Sequence, residues 1–397
     1  MYDMSGFDFD IRDVVRLLNL RIRRKNSRSY DVDCPFCGHK KGKMNVNIEK
    51  NVFRCNYCDT HGGMLDLYAK LYNLTKSEAN TQIREALNLG QYRDDYQKPV
   101  KAEEPPPVEN SEIASLDMRD KTYSGLLELL VLSQKHLENL LGRGLTREQI
   151  IKQRYRSVPL FGVKSLVTKL IDRGFQVSGV PGFYLDEEDK WTLNVSARVS
   201  GILIPILSED GKIQGFQIRL DHVIDGCKYI WLSSTNYHKG VSSGSPVHVI
   251  GNLDTEVAYI TEGALKGTIA HYLSGKTFIS VAGVNQYRNL EPVLEKFKQR
   301  NLKVVYEAYD MDKKMRTGCD RNYGDRCMEC LNTGQTCPDK ERKRKMIQNG
   351  CLRLYEICEK LNLSVQRMLW DTDEGGEWNG EIKGIDDLYY EMKNKSQ

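Results

Sequence analysis

Apolar and polar positions follow two different periods along the chain, and the changes between them divide it. Ile11, Val14, Val15 and Leu18 fall on one face at helical spacing, so residues 8–20 read as a short amphipathic helix. Residues 43–48 and 51–54 alternate with period two and read as a hairpin turning at Glu49-Lys50. A turn at His61-Gly62-Gly63 precedes a helical stripe of Met64, Leu65, Tyr68 and Leu71. Thr75-Lys76-Ser77-Glu78 is a capping box that opens a second helix, with Ala79, Ile83 and Leu87 on its buried face. Both periods vanish over residues 91–112, which are polar and centred on Pro105-Pro106-Pro107, as expected of an extended, semi-rigid linker. Residues 122–160 read as mostly helical, with Thr146 as an N-cap. From Ala197 strands take over: 201–207, a turn at Glu209-Asp210-Gly211, 213–219 and 228–234. Beyond Gly251 strands (257–261, 277–281, 303–309, 365–370) alternate with helices (to Leu273, near 290–300, from about Arg342). Such alternation predicts a parallel sheet with crossovers.

Composition narrows the class. The 397 residues suffice for two or three domains, and 40% apolar with 28% charged is ordinary for a globular protein. No apolar run approaches the roughly 18 residues of a membrane span. Met1-Tyr2-Asp3-Met4 does not begin a basic-then-apolar secretory signal, so the expected location is cytoplasmic. The net charge of +4 is unevenly spread: residues 21–54 hold ten Lys or Arg against three acids. A second basic run is Lys340-Glu341-Arg342-Lys343-Arg344-Lys345. Local basic surface points to a polyanionic partner, although either run alone also fits a solvated helix face.

Eleven cysteines in a reducing compartment point to metal ligation rather than disulfides. Cys34-Pro35-Phe36-Cys37 and Cys55-Asn56-Tyr57-Cys58 are two knuckles whose four thiolates would close a tetrahedral shell around a structural zinc. His39 and His61 lie nearby, but four thiolates suffice. A second set, Cys319, Cys327, Cys330 and Cys337, contains only one Cys-x-x-Cys pair. A second zinc, an iron–sulfur cluster and free loop thiols all remain open for it. Cys351 and Cys358 sit at helical spacing on an apolar face and read as core, and Cys227 has no cysteine neighbour in sequence.

The acids carry the chemistry. The run 257–261 ends in Glu262, and the run 303–309 ends in Asp310-Met311-Asp312. Ligands of a parallel α/β sheet gather at the C-terminal strand ends. Three carboxylates placed there repel one another unless a cation joins them, and oxygen ligands suit Mg²⁺ or Mn²⁺. Lys266, one helical turn past Glu262, is placed to pair with it.

Four stretches resemble DnaG-type bacterial DNA primases. Cys-Pro-Phe-Cys, a basic ribbon, the second cysteine pair and Gly62-Gly63 before a helix resemble their N-terminal CHC2-type zinc domain. That family usually has a His at one ligand position, whereas all four ligands here are Cys. Helix, Arg143-Gly144-Leu145-Thr146, helix resembles the opening of the catalytic core. The order of apolar strand, Asp210-Gly211 turn, Gly215-Phe216-x-x-Arg219, Lys228-Tyr229 and Lys239-Gly240 is similar to its first subdomain. Glu262-Gly263, Gly283 and Asp310-x-Asp312 resemble the Toprim domain, shared with topoisomerases and some nucleases. Lys383-Gly384-Ile385-Asp386-Asp387 resembles the family's Gly-x-Asp-Pro-Asp segment without its Pro.

The resemblance implies a multidomain α/β and α+β chain: a zinc-ribbon domain over 1–90, a linker over 91–115, a basic core subdomain over 116–250 and a Toprim subdomain over 251–397. Glu262, Asp310, Asp312 and Asp386 would bind Mg²⁺ or Mn²⁺, with Asp387, Asp371 and Asp373 as rivals to Asp386. Arg219 and Lys228 would face the catalytic cleft. The implied activity is synthesis of short RNA primers on single-stranded DNA from ribonucleoside triphosphates, with two metals about 4 Å apart and with a replicative helicase as a candidate partner. No phosphate-loop motif and no helicase-binding domain is found, which suits a compact primase of phage or mobile-element type. Two alternatives stand beside this: a Toprim nuclease, which needs no triphosphate site, and a catalytically degenerate DNA-binding accessory protein. A topoisomerase fits less well, because no strand-passage region with a nucleophilic tyrosine is identifiable.

Overall fold

The computed structural model describes residues 7, 9–87, 109–195, 199–224, 227–235, 237–323, 327, 330, 332 and 334–395. They fall into two compact units, Met1–Pro107 and Val108–Gln397. The proline-centred part of the expected linker lies outside the described residues. Its last residues, 109–115, form neither helix nor strand but are tied to the second unit. Ser111 Oγ donates to the Lys239 carbonyl at 2.9 Å, and the Ala114 N–H donates to the Gly179 carbonyl at 2.8 Å.

The first unit is a five-stranded antiparallel sheet in sequential order: Ile22–Lys25, Ser29–Val32, Met44–Asn47, Val52–Cys55 and His61–Gly63. Period two appears in the hairpin because Met44 and Val46 on one strand and Phe53 on the next are buried. The register pairs Met44 with Cys55 and Asn47 with Val52. Helices Ile11–Leu17, Met64–Tyr72 and Lys76–Ala86 flank the sheet, and Ile11, Val14, Leu67, Ala79 and Ile83 close its core. The first helix starts at Asp10, whose carboxylate accepts from the Arg12 N–H at 2.8 Å. The third starts at Thr75, with reciprocal bonds to Glu78. Two strands, Ile22–Lys25 and Ser29–Val32, were not expected: their positions are exposed or half-buried, so no apolar alternation marks them. His61–Gly63, expected as a turn, is a short edge strand paired to Val52–Arg54.

The second unit opens with helices Leu116–Glu128, Gln134–Leu141, Arg147–Lys152 and Val163–Asp172 and a small hairpin, Phe183–Leu185 with Trp191–Leu193. It continues in two sheets. The first is antiparallel, ordered Cys227–Trp231, Ile213–Ile224, Gly201–Leu207, Arg156–Ser157. The second is ordered His248–Ile250, Phe278–Val281, Val257–Glu262, Val304–Glu307, Ser364–Arg367. Its last four strands in that order run parallel, and His248–Ile250 is an antiparallel edge. Helices Ala264–Ser274, Leu290–Arg300, Pro338–Lys360 and Ile385–Lys395 accompany it. Its core joins Ile260, Ile279 and Val305 to Leu294, Phe297 and Leu354 of the helices.

A separate cluster joins Ile202, Ile204 and Ile206 of the antiparallel sheet to Ala264, Leu265 and Ile269 of the helix after Glu262. The change at residue 250 is therefore a change of sheet inside one compact unit. Two strands are shorter than the apolar runs suggest. Val304–Glu307 stops because the buried Glu307 carboxylate, not a neighbouring strand, accepts the Tyr309 N–H at 3.0 Å. Ser364–Arg367 ends before the turn built on Asp371. Among the described residues, no helix is long and apolar enough to cross a membrane.

Candidate functional site

In the first unit the two knuckles face each other. Each closes with a backbone bond back to its first cysteine, Gly38 N–H to Cys34 O and Asp59 N–H to Cys55 O, both at 2.9 Å. Cys34 and Cys58 Sγ atoms are 3.8 Å apart, and Cys37 and Cys55 Sγ atoms 3.9 Å apart. Four thiolates at about 2.3 Å from a tetrahedral zinc stand about 3.8 Å apart, so the donor set fits the ion. Cys34, Cys37 and Cys55 are buried, and Phe36 stacks on Phe53 beneath them. His39 lies against Tyr57, and the His61 ring bonds to the Asp59 carbonyl, so neither joins the thiol group. Part of the basic run is ion-paired: Arg23 with Asp33, Arg54 with Asp59 and Arg28 with Glu49.

In the second unit the parallel sheet brings Glu262, Asp310 and Asp312 together, with one carboxylate oxygen of each inside a 4.8 Å group. Parallel pairing of Ile260 with Glu307 sets the two strand ends side by side, and the Ala308 N–H donates to the Ile260 carbonyl at 2.8 Å. Gly263 follows at φ +86°, a conformation that costs little only without a Cβ, and it turns the chain from Glu262 into the helix Ala264–Ser274. At the end of the strand that leads to Asp310 and Asp312, Glu307 is fully buried. It is held by Lys313 Nζ at 2.7 Å, Tyr355 OH at 2.9 Å and Arg367 Nε at 3.2 Å. Burial, then the Asp310 charge, pushes the Glu262 carboxyl up to about 7.

Three lysines reach the same carboxylates. Lys266 Nζ bonds to Asp310 Oδ1. Lys383 Nζ lies 3.3 Å from Asp310 Oδ2 and 3.1 Å from Asp312 Oδ2, and Lys343 Nζ lies 3.0 Å from Asp312 Oδ2. Burial works against the Asp312 charge, but Lys343 and Lys383 bring its carboxyl below the usual range. Asp312 Oδ1 is buried without a hydrogen-bond partner, an acceptor that an oxygen-coordinated cation would satisfy. The trio therefore fits Mg²⁺ or Mn²⁺. The expected pairing of Lys266 with Glu262 is instead a bond to Asp310, and the basic run at 340–345 is not an open cationic face. Within it, Lys340 bonds Asp320, Arg342 bonds Asp339, Lys343 bonds Asp312 and Arg344 bonds Glu377.

Of the acids near the C-terminus, Asp386 is buried at the start of the helix Ile385–Lys395, and its Oδ1 has no partner. Burial pushes its carboxyl up to about 6, against the pull of Lys266 and Arg143. It stands outside the trio's 4.8 Å group. Its rivals are engaged locally. Asp387 accepts from the Gly384 N–H at 3.1 Å, Asp371 from the Glu381 and Ile382 N–H groups at 2.9 Å, and Asp373 from Arg316 at 2.8 Å.

Arg219 is half-buried in the antiparallel sheet, opposite Ile202 and Tyr229. It donates one bond to Asn139 Oδ1 at 3.2 Å, while its Nε has no partner. Lys228 is exposed on the edge strand, and its ammonium is pushed down by burial of its inner part and by Arg219, Arg143 and Lys383. Those four cations therefore share one field. Arg143, Lys343 and Lys383 were not singled out from the sequence. Each lies in a segment marked for another reason: Arg143-Gly144-Leu145-Thr146, the basic run at 340–345 and Lys383-Gly384-Ile385-Asp386-Asp387.

The second cysteine set is not gathered. The ends of its loop are tied by backbone, Cys319 N–H to Gln335 O at 2.9 Å and Cys337 N–H to Thr317 O at 2.7 Å. Cys327 Sγ accepts from the Tyr323 N–H, Cys330 is exposed and Cys337 is buried. Among the described residues the only metal-capable groups are the first four cysteines and the carboxylate trio. Cys351 and Cys358 are core, as expected.

The chain has distant relatives among known proteins. Residues 6–98 match the CHC2 zinc finger family of DnaG zinc ribbons. A DNA primase of Listeria innocua is 23% identical over 227 residues, covering 55% of this chain and 35% of the relative. A DNA primase of Salmonella typhimurium is 32% identical over 74 residues, covering 18% of this chain and 12% of the relative. The chain thus spans about a third, or less, of the length of these curated relatives. A crystal structure of the Aquifex aeolicus primase, comprising zinc-binding and RNA polymerase domains, aligns over 89% of each chain at 17% identity with a TM-score of 0.40. Through a zinc ribbon of the CHC2 family and a core that shares sequence with theirs, the chain is related to the DnaG-type DNA primases.

Proposed function

We propose that the chain is a DNA primase that joins ribonucleotides into short primers on a single-stranded DNA template. The observation that carries this reading is the carboxylate trio at the ends of adjacent parallel strands, in the same compact unit as the cations Arg143, Arg219, Lys228 and Lys383. Glu262, Asp310 and Asp312 would hold Mg²⁺ or Mn²⁺, which activates a primer 3′-hydroxyl and neutralises the leaving pyrophosphate. The protein's own part is positioning and charge. Arg219 and Lys228 offer donors to triphosphate or template phosphate, and the half-buried Arg219 is the better placed for a fixed contact. Lys343 and Lys383 are the more exposed of the lysines on the trio and can turn to an incoming phosphate. The zinc ribbon, structural because its four thiolates leave no open position, supplies a rigid sheet for template contact. A nuclease would need cations for the nucleic-acid backbone but no site for a triphosphate.

The test is an incubation of the whole chain with single-stranded DNA, labelled ribonucleotides and Mg²⁺ or Mn²⁺, beside the Asp310→Ala/Asp312→Ala variant. The expected result is short RNA from the unaltered chain only, with at least about a thousand-fold loss in the variant. Absence of RNA on varied templates overturns the proposal, and shortening of the template would establish the nuclease instead.

A further inference from the structure

The acidic centre holds a fixed cation of its own. Lys266 extends from the first turn of the helix Ala264–Ser274, and its side chain is only 19% exposed. It bonds to Asp310 Oδ1, with Glu262 and Asp386 as its next acidic neighbours. A Cβ placed on Gly384 would lie 2.4 Å from Asp386 Oδ1 and 3.3 Å from Lys266 Cε, so these two side chains meet over that glycine. Lys266 thus bonds to Asp310 of the trio and lies near Asp386 without bonding to it. Lys383 and Lys343 are less enclosed, at 46% and 30% side-chain exposure, and reach the trio from its open side.

The remaining acceptors are enough for one ion. Glu262, Asp310 and Asp312 supply a converging set, and Asp312 has an unpartnered oxygen, Oδ1. A second ion would need Asp310 as a bridging ligand together with Asp386. Asp386 is outside the converging set, and one of the two Asp310 oxygens, Oδ1, is already bonded to Lys266. A divalent ion there would sit within a few ångströms of a buried ammonium, a repulsion that low-dielectric surroundings magnify. Charge gives the same answer. Four carboxylates against Lys266 and one divalent ion leave −1, which one of Lys343 and Lys383 is enough to neutralise, whereas a second divalent ion would bring the sum to +1 before either of those lysines is counted.

We infer that the protein itself binds one divalent cation, through Glu262, Asp310 and Asp312, and that Lys266, bonded to Asp310 and lying in the field of Asp386, stands in place of a second metal. This rests on the proposed reading of the site as a metal-dependent nucleotidyl-transfer centre. Lys266 is a positioning residue, acting through Asp310.

The experiment is Mn²⁺ titration of the zinc-loaded whole chain without nucleotide, followed by electron paramagnetic resonance, with Asp310→Ala/Asp312→Ala as the blank. One Mn²⁺ per chain above the blank, with no spin–spin coupling, is expected. Lys266→Met should tighten that Mn²⁺ by about tenfold, because a like charge beside Asp310 is gone, and Lys266→Arg should leave the affinity near its original value. Two Mn²⁺ per chain, a coupled spectrum, no Mn²⁺ above the blank, or unchanged or weaker affinity in Lys266→Met each overturn the inference. The count on the unaltered chain decides even if Lys266→Met does not fold. One Mn²⁺ in a chain that makes no RNA would sink the primase reading and leave this inference standing. RNA synthesis with two coupled Mn²⁺ would do the reverse.

Discussion

At the scale of single residues, the site rests on a charge the solvent never meets. Glu307, at the end of the strand that leads to Asp310 and Asp312, is fully buried and accepts from Lys313, Tyr355, Arg367 and the Tyr309 N–H. Removing one partner of a buried pair leaves the other uncompensated, at a cost of about 3–5 kcal/mol. Glu307→Ala should lower the stability of the second unit by about that much, and the apolar pair Glu307→Leu/Lys313→Met should lower it less. Urea unfolding read by tryptophan fluorescence tests both, because Trp191, Trp231, Trp370 and Trp378 all lie in that unit.

His248 makes a second residue-scale case. Burial, then His271, pushes it down to about 3, and its Nδ1 accepts the Leu207 N–H at 3.1 Å. The folded chain thus binds fewer protons than the unfolded chain between about pH 3 and the ordinary histidine value near 6.5. Stability due to this group is complete above that window and is lost as pH falls through it, by about 1.4 kcal/mol per pH unit. His248→Asn, which keeps an acceptor for Leu207, should flatten the difference in urea midpoint between pH 6 and pH 5. A slope equal to that of the unaltered chain would refute the assignment.

Legibility at this scale follows chemistry. Glu262, Asp310 and Asp312 could be read because each ends or follows an apolar β run, so the position of the acid identifies the strand end. Lys343 and Lys383 could not, since each reaches the site from an element whose orientation depends on the helix Pro338–Lys360 and the loop before Ile385 packing over the sheet. In the sequence only the resemblance favours Asp386 over Asp371, Asp373 and Asp387. Its burial and its unpartnered oxygen distinguish it from Asp371, Asp373 and Asp387, which satisfy turns and caps.

At the scale of elements, burial decides what a sequence reveals. The inner strands of the parallel sheet, Phe278–Val281 and Val257–Glu262, are apolar on both faces and legible in the sequence to within a few residues, whereas the outer strand Ser364–Arg367 is largely exposed. The ribbon strands Ile22–Lys25 and Ser29–Val32 are not legible, because almost none of their side chains is buried. Such a sheet has too little apolar area to hold itself, and the knuckles must do so. Chelation of zinc, or Cys55→Ser, should therefore unfold the first unit while leaving the second folded. Hydrogen exchange should rise to the unprotected rate across residues 22–63 and stay unchanged across residues 201–307, with the tryptophan unfolding midpoint unaltered. Protection retained in the ribbon after zinc loss would contradict this account. The same reasoning sets the metal content. The four thiols of the 319–337 loop do not converge, and its ends are closed by backbone bonds, so one zinc per chain is expected. Metal analysis together with alkylation of the exposed Cys330 in the native chain checks this.

At the scale of the whole molecule, the net charge of +4 says little, because the cations are distributed by task. Many of those in the ribbon and in the 340–345 run have acidic partners, whereas Arg219 and Lys228 belong to a group of like charges beside the acidic centre. The two differ in setting, and the difference predicts a division of labour. Arg219 is half-buried, oriented by Asn139 and has an unpartnered Nε, which suits one fixed contact to a compact triphosphate. Lys228 is exposed on an edge strand, which suits a mobile contact to a passing strand. Each phosphate contact to single-stranded nucleic acid adds about 0.7 to the slope of log affinity against log salt. Lys228→Ala should therefore lower that slope by about 0.7 for an oligothymidine, with the nucleotide KM unchanged. Arg219→Ala should raise the nucleotide KM by about tenfold or more and leave the slope as it was. The reverse pattern would exchange the two roles, and equal effects of both substitutions on slope and KM would show that the sheet binds its polyanions without the division argued from burial.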